Sequence, residues 1–389
     1  MIKKYELPLV LESMAILVGT IIGGGIFVLP YINIKSGILM TNFWLLLLCI
    51  IMCILHLIFG EIILKTDKEM KLPGYAGFYL GNMVKKFLNF VCVFSIAFSL
   101  LIYIILATKF TNIIIGDNLV FLKPFVFIFI WLILNIFLFF KTINLSKCNF
   151  ILTLLLVVLM IALSFLCFSH LDFVNFKINQ QLVTQFWYSS YGVIFFAIDG
   201  LVAMPMMFLF LKHKKASKTV FKKSVILSYV FVFIVFFLFM NSVALLSKNN
   251  TSIDTFGGLM PFFGRGVLIM GALIGLLAIV TSYIVFVNYY KDMLKCDMRC
   301  NNIWSIIISM FLPLMFLLLD VNRLDDLMSL VGGVIGGMIA VIVLFIYQKV
   351  KNLKSDIYNL NLSNWVVVII GSFCFIGAIS QVILILLNL

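Results

Sequence analysis

Charge is what this chain has least of. Only 11% of its 389 residues are Asp, Glu, Lys or Arg, and 64% are hydrophobic. Soluble domains are about a quarter charged and about half apolar. A water-soluble protein is therefore excluded, and no stretch is left for a separate soluble domain. Acidic residues are the scarcer sign, 15 against 28 basic, for a net charge of +13. The basic residues lie between apolar runs, which argues against nucleic acid as a partner. Histidine occurs three times, and there is no nucleotide-binding loop, zinc-protease motif or Ser/His/Asp set. No enzyme and no cofactor are expected.

Eight cysteines are present. Cys49, Cys53, Cys92, Cys167 and Cys374 fall inside apolar runs and read as small buried apolar residues. Cys296 and Cys300 lie in a basic loop without a nearby histidine. A zinc site takes about four ligands, so reduced thiols are expected. The opening Met1-Ile2-Lys3-Lys4 before an apolar run has the look of a signal peptide. The run lacks a short apolar core followed by a small-residue cleavage site, so no cleavage is expected.

Apolar runs near 20 residues mark membrane helices. Eleven are read, at 8–33, 38–64, 87–115, 121–140, 148–168, 187–211, 222–246, 261–290, 302–320, 326–348 and 364–388. Most basic residues fall on one side, with the densest cluster at Lys212, Lys214, Lys215, Lys218, Lys222 and Lys223. The positive-inside rule then puts the N-terminus in the cytoplasm and the C-terminus outside, in the plasma membrane. Trp44, Trp187, Trp304 and Trp365 fall near span ends, and Trp131 at mid-span.

Span 1 contains Gly19-Thr20-Ile21-Ile22-Gly23-Gly24-Gly25-Ile26-Phe27-Val28-Leu29-Pro30. Each glycine costs a helix about 1 kcal/mol relative to alanine. Freed backbone groups at membrane depth are tolerated only where protein or a lined cavity gives them partners. These glycines therefore read as an unwound turn at a binding site. Span 6 repeats the pattern in Gly192 through Asp199-Gly200 to Pro205. Gly25 precedes Pro30, and Gly200 precedes Pro205, by five residues. Spans 1–5 (8–168) and 6–10 (187–348) match in order, and an odd number per half inserts the halves in opposite directions. The fold class is all-α integral membrane, one transporter domain, with an inverted 5+5 (LeuT-like) repeat, broken helices 1 and 6, and an additional helix at 364–388. Binding sites of such repeats lie at the repeat interface.

The first-helix stretch Gly19 to Pro30 resembles that of the amino acid/auxin permease family, within the amino acid–polyamine–organocation superfamily. The sixth-helix stretch Gly192 to Gly200 with Ala203-Met204-Pro205, Gly60-Glu61-Ile62, and Leu72-Pro73-Gly74-Tyr75 in the loop after span 2 are similar too. Met206 departs from relatives that carry Glu there. The resemblance implies amino-acid transport by rocking a bundle of spans 1, 2, 6 and 7 against a scaffold of spans 3, 4, 8 and 9.

Gly23, Gly24 and Gly25 with the Ile26 amide present the positive end of a half-helix, suited to a substrate carboxylate. The alternative is tight helix packing. Asp199 is an intramembrane carboxylate and a site by default, for a substrate ammonium or a proton; alternatively it caps the second half-helix. Carbonyls from Phe195 to Ile198 face the ammonium in either case. The resemblance makes Phe196 a lid, and Tyr103 is a further pocket candidate. Thr281 and Ser282, with carbonyls of Gly19 and Ile22, resemble a sodium site, the alternative being back-bonding to the preceding turn. Glu61 is read as a tie between helices, Glu12 as part of a cytoplasmic gate, and His56 as a proton relay or a structural residue.

The reading is thus a secondary active amino-acid transporter, coupled to Na+ or H+, working as a monomer. Its rival is a non-transporting amino-acid sensor. Such a sensor needs a tail or soluble loop as readout, and the short N-terminus and the end within the last span argue against one.

Overall fold

A computed structural model describes residues 6–116, 123–139, 142–171, 188–317, 324–353 and 359–388. Trp187 and parts of spans 4 and 9 (121–122, 140 and 318–320) lie outside them. All regular structure among the described residues is helical.

Helix α1 (Leu7–Ile21) stops at Ile22, whose ψ of 74 leaves the helical region. A 3-10 turn, Gly24–Val28, leads into α2 (Leu29–Ser36), with Pro30 in its first turn, where no N–H is needed. The two halves bend by 48°. Gly37, at φ 91, returns the chain into α3 (Ile38–Thr66). The stretch expected as a loop after span 2 is partly a helix, α4 (Leu72–Leu80). Its first turn is held from outside, because Leu72 N–H donates to the Tyr289 hydroxyl at 3.1 Å and Gly74 N–H to Asp297 Oδ2 at 3.0 Å. Such long-range caps cannot be read from local sequence.

There follow α5 (Asn82–Ile115), α6 (Lys123–Asn135) with the 3-10 turn Ile136–Phe139, and α7 (Thr142–Ser169). The second break lies between α8 (Ser190–Ile198) and α9 (Met204–His213), with Asp199 extended and a 3-10 turn at Leu201–Ala203. Next come α10 (Lys218–Ser247), α11 (Met260–Cys296) and α12 (Asn302–Phe316). A left-handed Gly264 (φ 69) kinks the first turns of α11. Helix α13 (Leu324–Ser329) runs through a π-helical stretch, Leu330–Gly336, into α14 (Gly337–Val350), and α15 (Asn364–Asn388) closes the series.

Eight helices among the described residues are long and apolar enough to cross a membrane, nine with the bent pair. Two shorter apolar helices, Phe125–Phe139 and Asn302–Phe316, occupy the places of spans 4 and 9. Helices α1, α3, α8, α9 and α10 pack on one another, while α5 packs on α6, α11 and α12. Outward faces are strongly apolar, with Leu387 on α15 75% exposed and Phe165 on α7 67%. Lipid, not water, suits such surfaces. Trp304 and Trp365 are exposed, whereas Trp131 is buried and donates to the Met310 carbonyl at 2.9 Å, tying α6 to α12.

Buried polar residues mostly join helices. Lys65 and Glu61, both buried, pair at 2.8 Å. Lys65 also reaches the Val350 and Lys351 carbonyls, and Glu61 accepts from Leu360 N–H at 3.0 Å. Glu61 therefore connects α3 to the end of α14 and the segment after it. At the other end, Lys35 of α2 pairs with Asp325 of α13 at 2.8 Å.

Candidate functional site at the two helix breaks

The two breaks meet backbone to backbone. A Cβ built on Gly25 would lie 2.7 Å from the Ala197 Cα, closer than real Cβ contacts. One built on Gly23 would lie 2.9 Å from the Ser282 Cβ, and one on Gly24 2.7 Å from a Leu106 methyl. Gly200 packs equally tightly against Leu17 and Ile21. Gly25 is thus required for close approach of backbone to backbone, while Gly24 and Gly200 meet the ends of Leu and Ile side chains. Ile26 is fully buried beside them.

Ser282 on α11 donates to the Thr20 carbonyl at 2.9 Å and lies 3.2 Å from that of Gly19. These are carbonyls at the end of α1, which lack helical donors. Thr281 turns its hydroxyl back to the Ala278 carbonyl at 2.8 Å. Ile22 closes α1 through its N–H to the Val18 carbonyl. The structure therefore brings Ser282 to Gly19, while the Thr281 hydroxyl is engaged within its own helix.

At the second break, Asp199 Oδ1 accepts from Leu201 N–H at 3.0 Å and caps the next turn. The Ile198 carbonyl, at the end of α8, accepts from the Tyr229 hydroxyl of α10 at 3.1 Å. That hydroxyl also lies 3.0 and 3.1 Å from the two ring nitrogens of His56 on α3.

Asp199 opens onto a cavity of about 40 Å³ that extends toward α4. Phe196, Phe59, Phe286, Tyr289 and Ile339 line it, with Ser95 and Ser99 as polar wall groups. Gly23–Gly25, Ile26, Phe195, Ile198 and Tyr103 are outside its lining. Tyr103 stands between the two groups: its ring packs on Phe286 at 5.5 Å and lies 6.3 Å from Phe196, and it touches Gly23 and Gly24. Phe195 turns the other way, onto Gly336 and Tyr191. On the α2 side the break is roofed by Phe27 with Phe110, Phe239 and Phe256, at 5.2 to 5.9 Å. The Thr255 hydroxyl bonds the Phe27 carbonyl.

The glycine face of span 10 was not among the expected site residues. Gly332 meets the backbone of Gly192 and Phe196 in direct contact, and Gly336 meets Phe195. Single-turn π-helices recur at functional sites. The pairs Gly332-Gly333 and Gly336-Gly337 carry this signal in the sequence. Glu12 is half-buried on α1 and forms no ion pair among the described residues. Near the start of α4, burial raises the Asp297 carboxyl above the ordinary carboxylate range, against the backbone N–H groups of Gly74 and Lys71 that lower it.

Two broken membrane helices crossing at their unwound turns, with a carboxylate and an aromatic-walled cavity beside them, define a secondary transporter with a LeuT-like fold. The chain belongs to the tryptophan/tyrosine permease family, whose sequence profile matches residues 7–381. This is an amino acid–polyamine–organocation type of family, and the resemblance to amino acid/auxin permeases holds at that level. The fold is also that of the nucleobase-cation-symport-1 family transporter Mhp1, solved in a closed conformation with bromovinylhydantoin bound. The TM-score is 0.63 at 12% identity, over 97% of this chain and 90% of that one. No curated protein sequence matches significantly.

Proposed function

We propose that this protein carries an aromatic amino acid, tryptophan or tyrosine, across the plasma membrane by alternating access. The observation that carries the reading is the crossing of the two breaks at Gly25 and Ala197, beside Asp199 and a cavity walled by Phe59, Phe196 and Phe286. The match to the tryptophan/tyrosine permease family supports this substrate class. Amides at Gly23–Gly25 and Ile26 receive the carboxylate. The Ile198 carbonyl and Asp199 receive the ammonium, and the phenylalanines receive the ring, with Phe196 as lid. The cavity as it stands is far smaller than the several hundred Å³ of a ligand site, so substrate entry requires the bundle (α1–α3, α8–α10) to rock from the scaffold (α5, α6, α11, α12).

With α6 and α12 counted, the chain crosses the membrane eleven times. Residues 8–168 and 187–348 form two inverted repeats, the N-terminus is cytoplasmic, and the unit is a monomer. The α4 side then faces the cytoplasm. A coupling cation is part of the reading. Sodium at Gly19, Ile22, Thr281 and Ser282 is the alternative, since both hydroxyls keep oxygen lone pairs while donating to carbonyls. A proton is favoured because Asp199 and the buried His56 stand at the second break. A thermal-shift screen of the common amino acids tests the substrate class. Stabilisation by tryptophan or tyrosine alone is expected, and stabilisation by none of the amino acids opposes the reading.

A further inference from the structure

The environment of His56 is made of hydrogen-bond acceptors. Its Nδ1 lies 2.8 Å from the Met52 carbonyl, which can only accept. The Gly200 backbone is a second partner of the ring. The Tyr229 hydroxyl is the third, and its single hydrogen is shared between two acceptors in reach, the Ile198 carbonyl at 3.1 Å and a bare ring nitrogen at 3.0 to 3.1 Å. A neutral imidazole offers one N–H, and an imidazolium offers two. A neutral ring is satisfied with Nδ1–H on the Met52 carbonyl and the Tyr229 hydrogen turned to Nε2, whereas a ring with hydrogen on both nitrogens leaves the Tyr229 hydrogen on Ile198. Once one nitrogen is bare, the hydroxyl beside it among the described residues is that of Tyr229. Turning its hydrogen to the ring takes it away from Ile198.

We propose that His56 is the coupling-proton site, and that its protonation positions the Ile198 carbonyl for the substrate ammonium through Tyr229. The inference rests on the transport reading above. With His56 protonated, Tyr229 holds one lone pair of the Ile198 carbonyl and leaves the other fixed in direction. A preorganised acceptor costs nothing to orient when the ammonium arrives. With His56 neutral, the carbonyl loses its anchor at the end of α8. Proton and substrate then bind cooperatively, as symport requires. Asp199, next to Gly200, is the carboxylate that faces Tyr229. The other titratable groups facing the pair are Cys49 and Cys53 of α3 itself, and no Lys or Arg is among them. The proton enters from water and returns to it, with no bond made or broken elsewhere. His56 and Tyr229 are positioning residues here, since neither need touch the substrate.

The test is equilibrium binding of labelled tryptophan to the purified full-length protein across about pH 4–8, extended below the range in which histidine ordinarily titrates. A pH-sensitive dye in weak buffer reads proton exchange. Wild type is expected to bind more weakly as pH rises and to take up a proton on binding. Tyr229→Phe should weaken low-pH binding by roughly tenfold, the worth of about one hydrogen bond, and flatten the pH dependence. His56→Gln should flatten it and abolish proton uptake while the protein stays monodisperse. A wild-type pH profile and proton uptake in His56→Gln would overturn the inference. If that variant fails to fold, proton release or no exchange in wild type, or a wild-type pH profile in Tyr229→Phe, overturns it instead. Absence of any tryptophan or tyrosine binding by wild type overturns the transport reading and this inference together. Binding without pH dependence overturns this inference alone.

Discussion

Gly25 and Ala197 touch so closely that a Cβ on the glycine would sit 2.7 Å from the Ala197 Cα. The contact joins the 3-10 turn of the first break to the last turn of α8, in the other half of the chain. Nothing there is the flexible end of a side chain, so an added methyl must move backbone. Gly25→Ala is expected to cost about 1–3 kcal/mol of stability as overpacking and to abolish tryptophan uptake. Thermal unfolding and uptake measured on the same preparation check this. Normal uptake in Gly25→Ala would separate the contact from function.

The Ser282 hydroxyl serves carbonyls at the end of α1. Its removal in Ser282→Ala leaves buried acceptors unpaired, at about 1–3 kcal/mol. Uptake by wild type is expected to continue when sodium is replaced by choline at fixed pH. Sodium dependence that disappears in Thr281→Ala/Ser282→Ala would instead place the ion at Gly19, Ile22, Thr281 and Ser282.

How the breaks show in the sequence, and why other features do not, follows from the range of the forces involved. A glycine followed by proline five residues on is a local signal, and both breaks lie where it stands. Helix α4 is invisible locally because Tyr289 and Asp297, more than two hundred residues away, hold its first turn. Which of Phe195 and Phe196 faces the cavity depends on the rotation of α8 against Gly332 and Gly336. Adjacent phenylalanines give no hint of that. The set of partners around His56 is likewise assembled from two helices, α3 and α10, and a break.

The Lys65–Glu61 pair is buried on both sides and bridges α3 to α14. Glu61→Gln leaves a buried ammonium without its countercharge and is expected to destabilise by about 3–5 kcal/mol. Removing both charges together, in Glu61→Leu/Lys65→Met, should recover a good part of the loss. Thermal unfolding of the two variants decides whether the pair is a structural tie.

Asp297 gives a pH dependence with a definite sign. Burial raises its folded pKa above the ordinary 3.8, so the folded state holds this proton more tightly than the unfolded chain does. Stability from this group is present below the ordinary value and is lost as pH rises through the raised one. The melting temperature of wild type should therefore fall, relative to Asp297→Asn, as pH climbs from about 4. Parallel melting curves for the two proteins would contradict this.

The central claim is a carrier whose site includes the carboxylate at the second break. Its most direct test is uptake of labelled tryptophan into proteoliposomes holding wild type or Asp199→Asn, with folding followed by thermal unfolding. The account predicts saturable, concentrative uptake by wild type, and a loss of roughly tenfold or more in the variant, the scale of one charge-assisted hydrogen bond, with little change in melting temperature. Wild-type uptake by Asp199→Asn would reduce the carboxylate to a cap for Leu201, and no uptake by wild type would contradict the carrier itself.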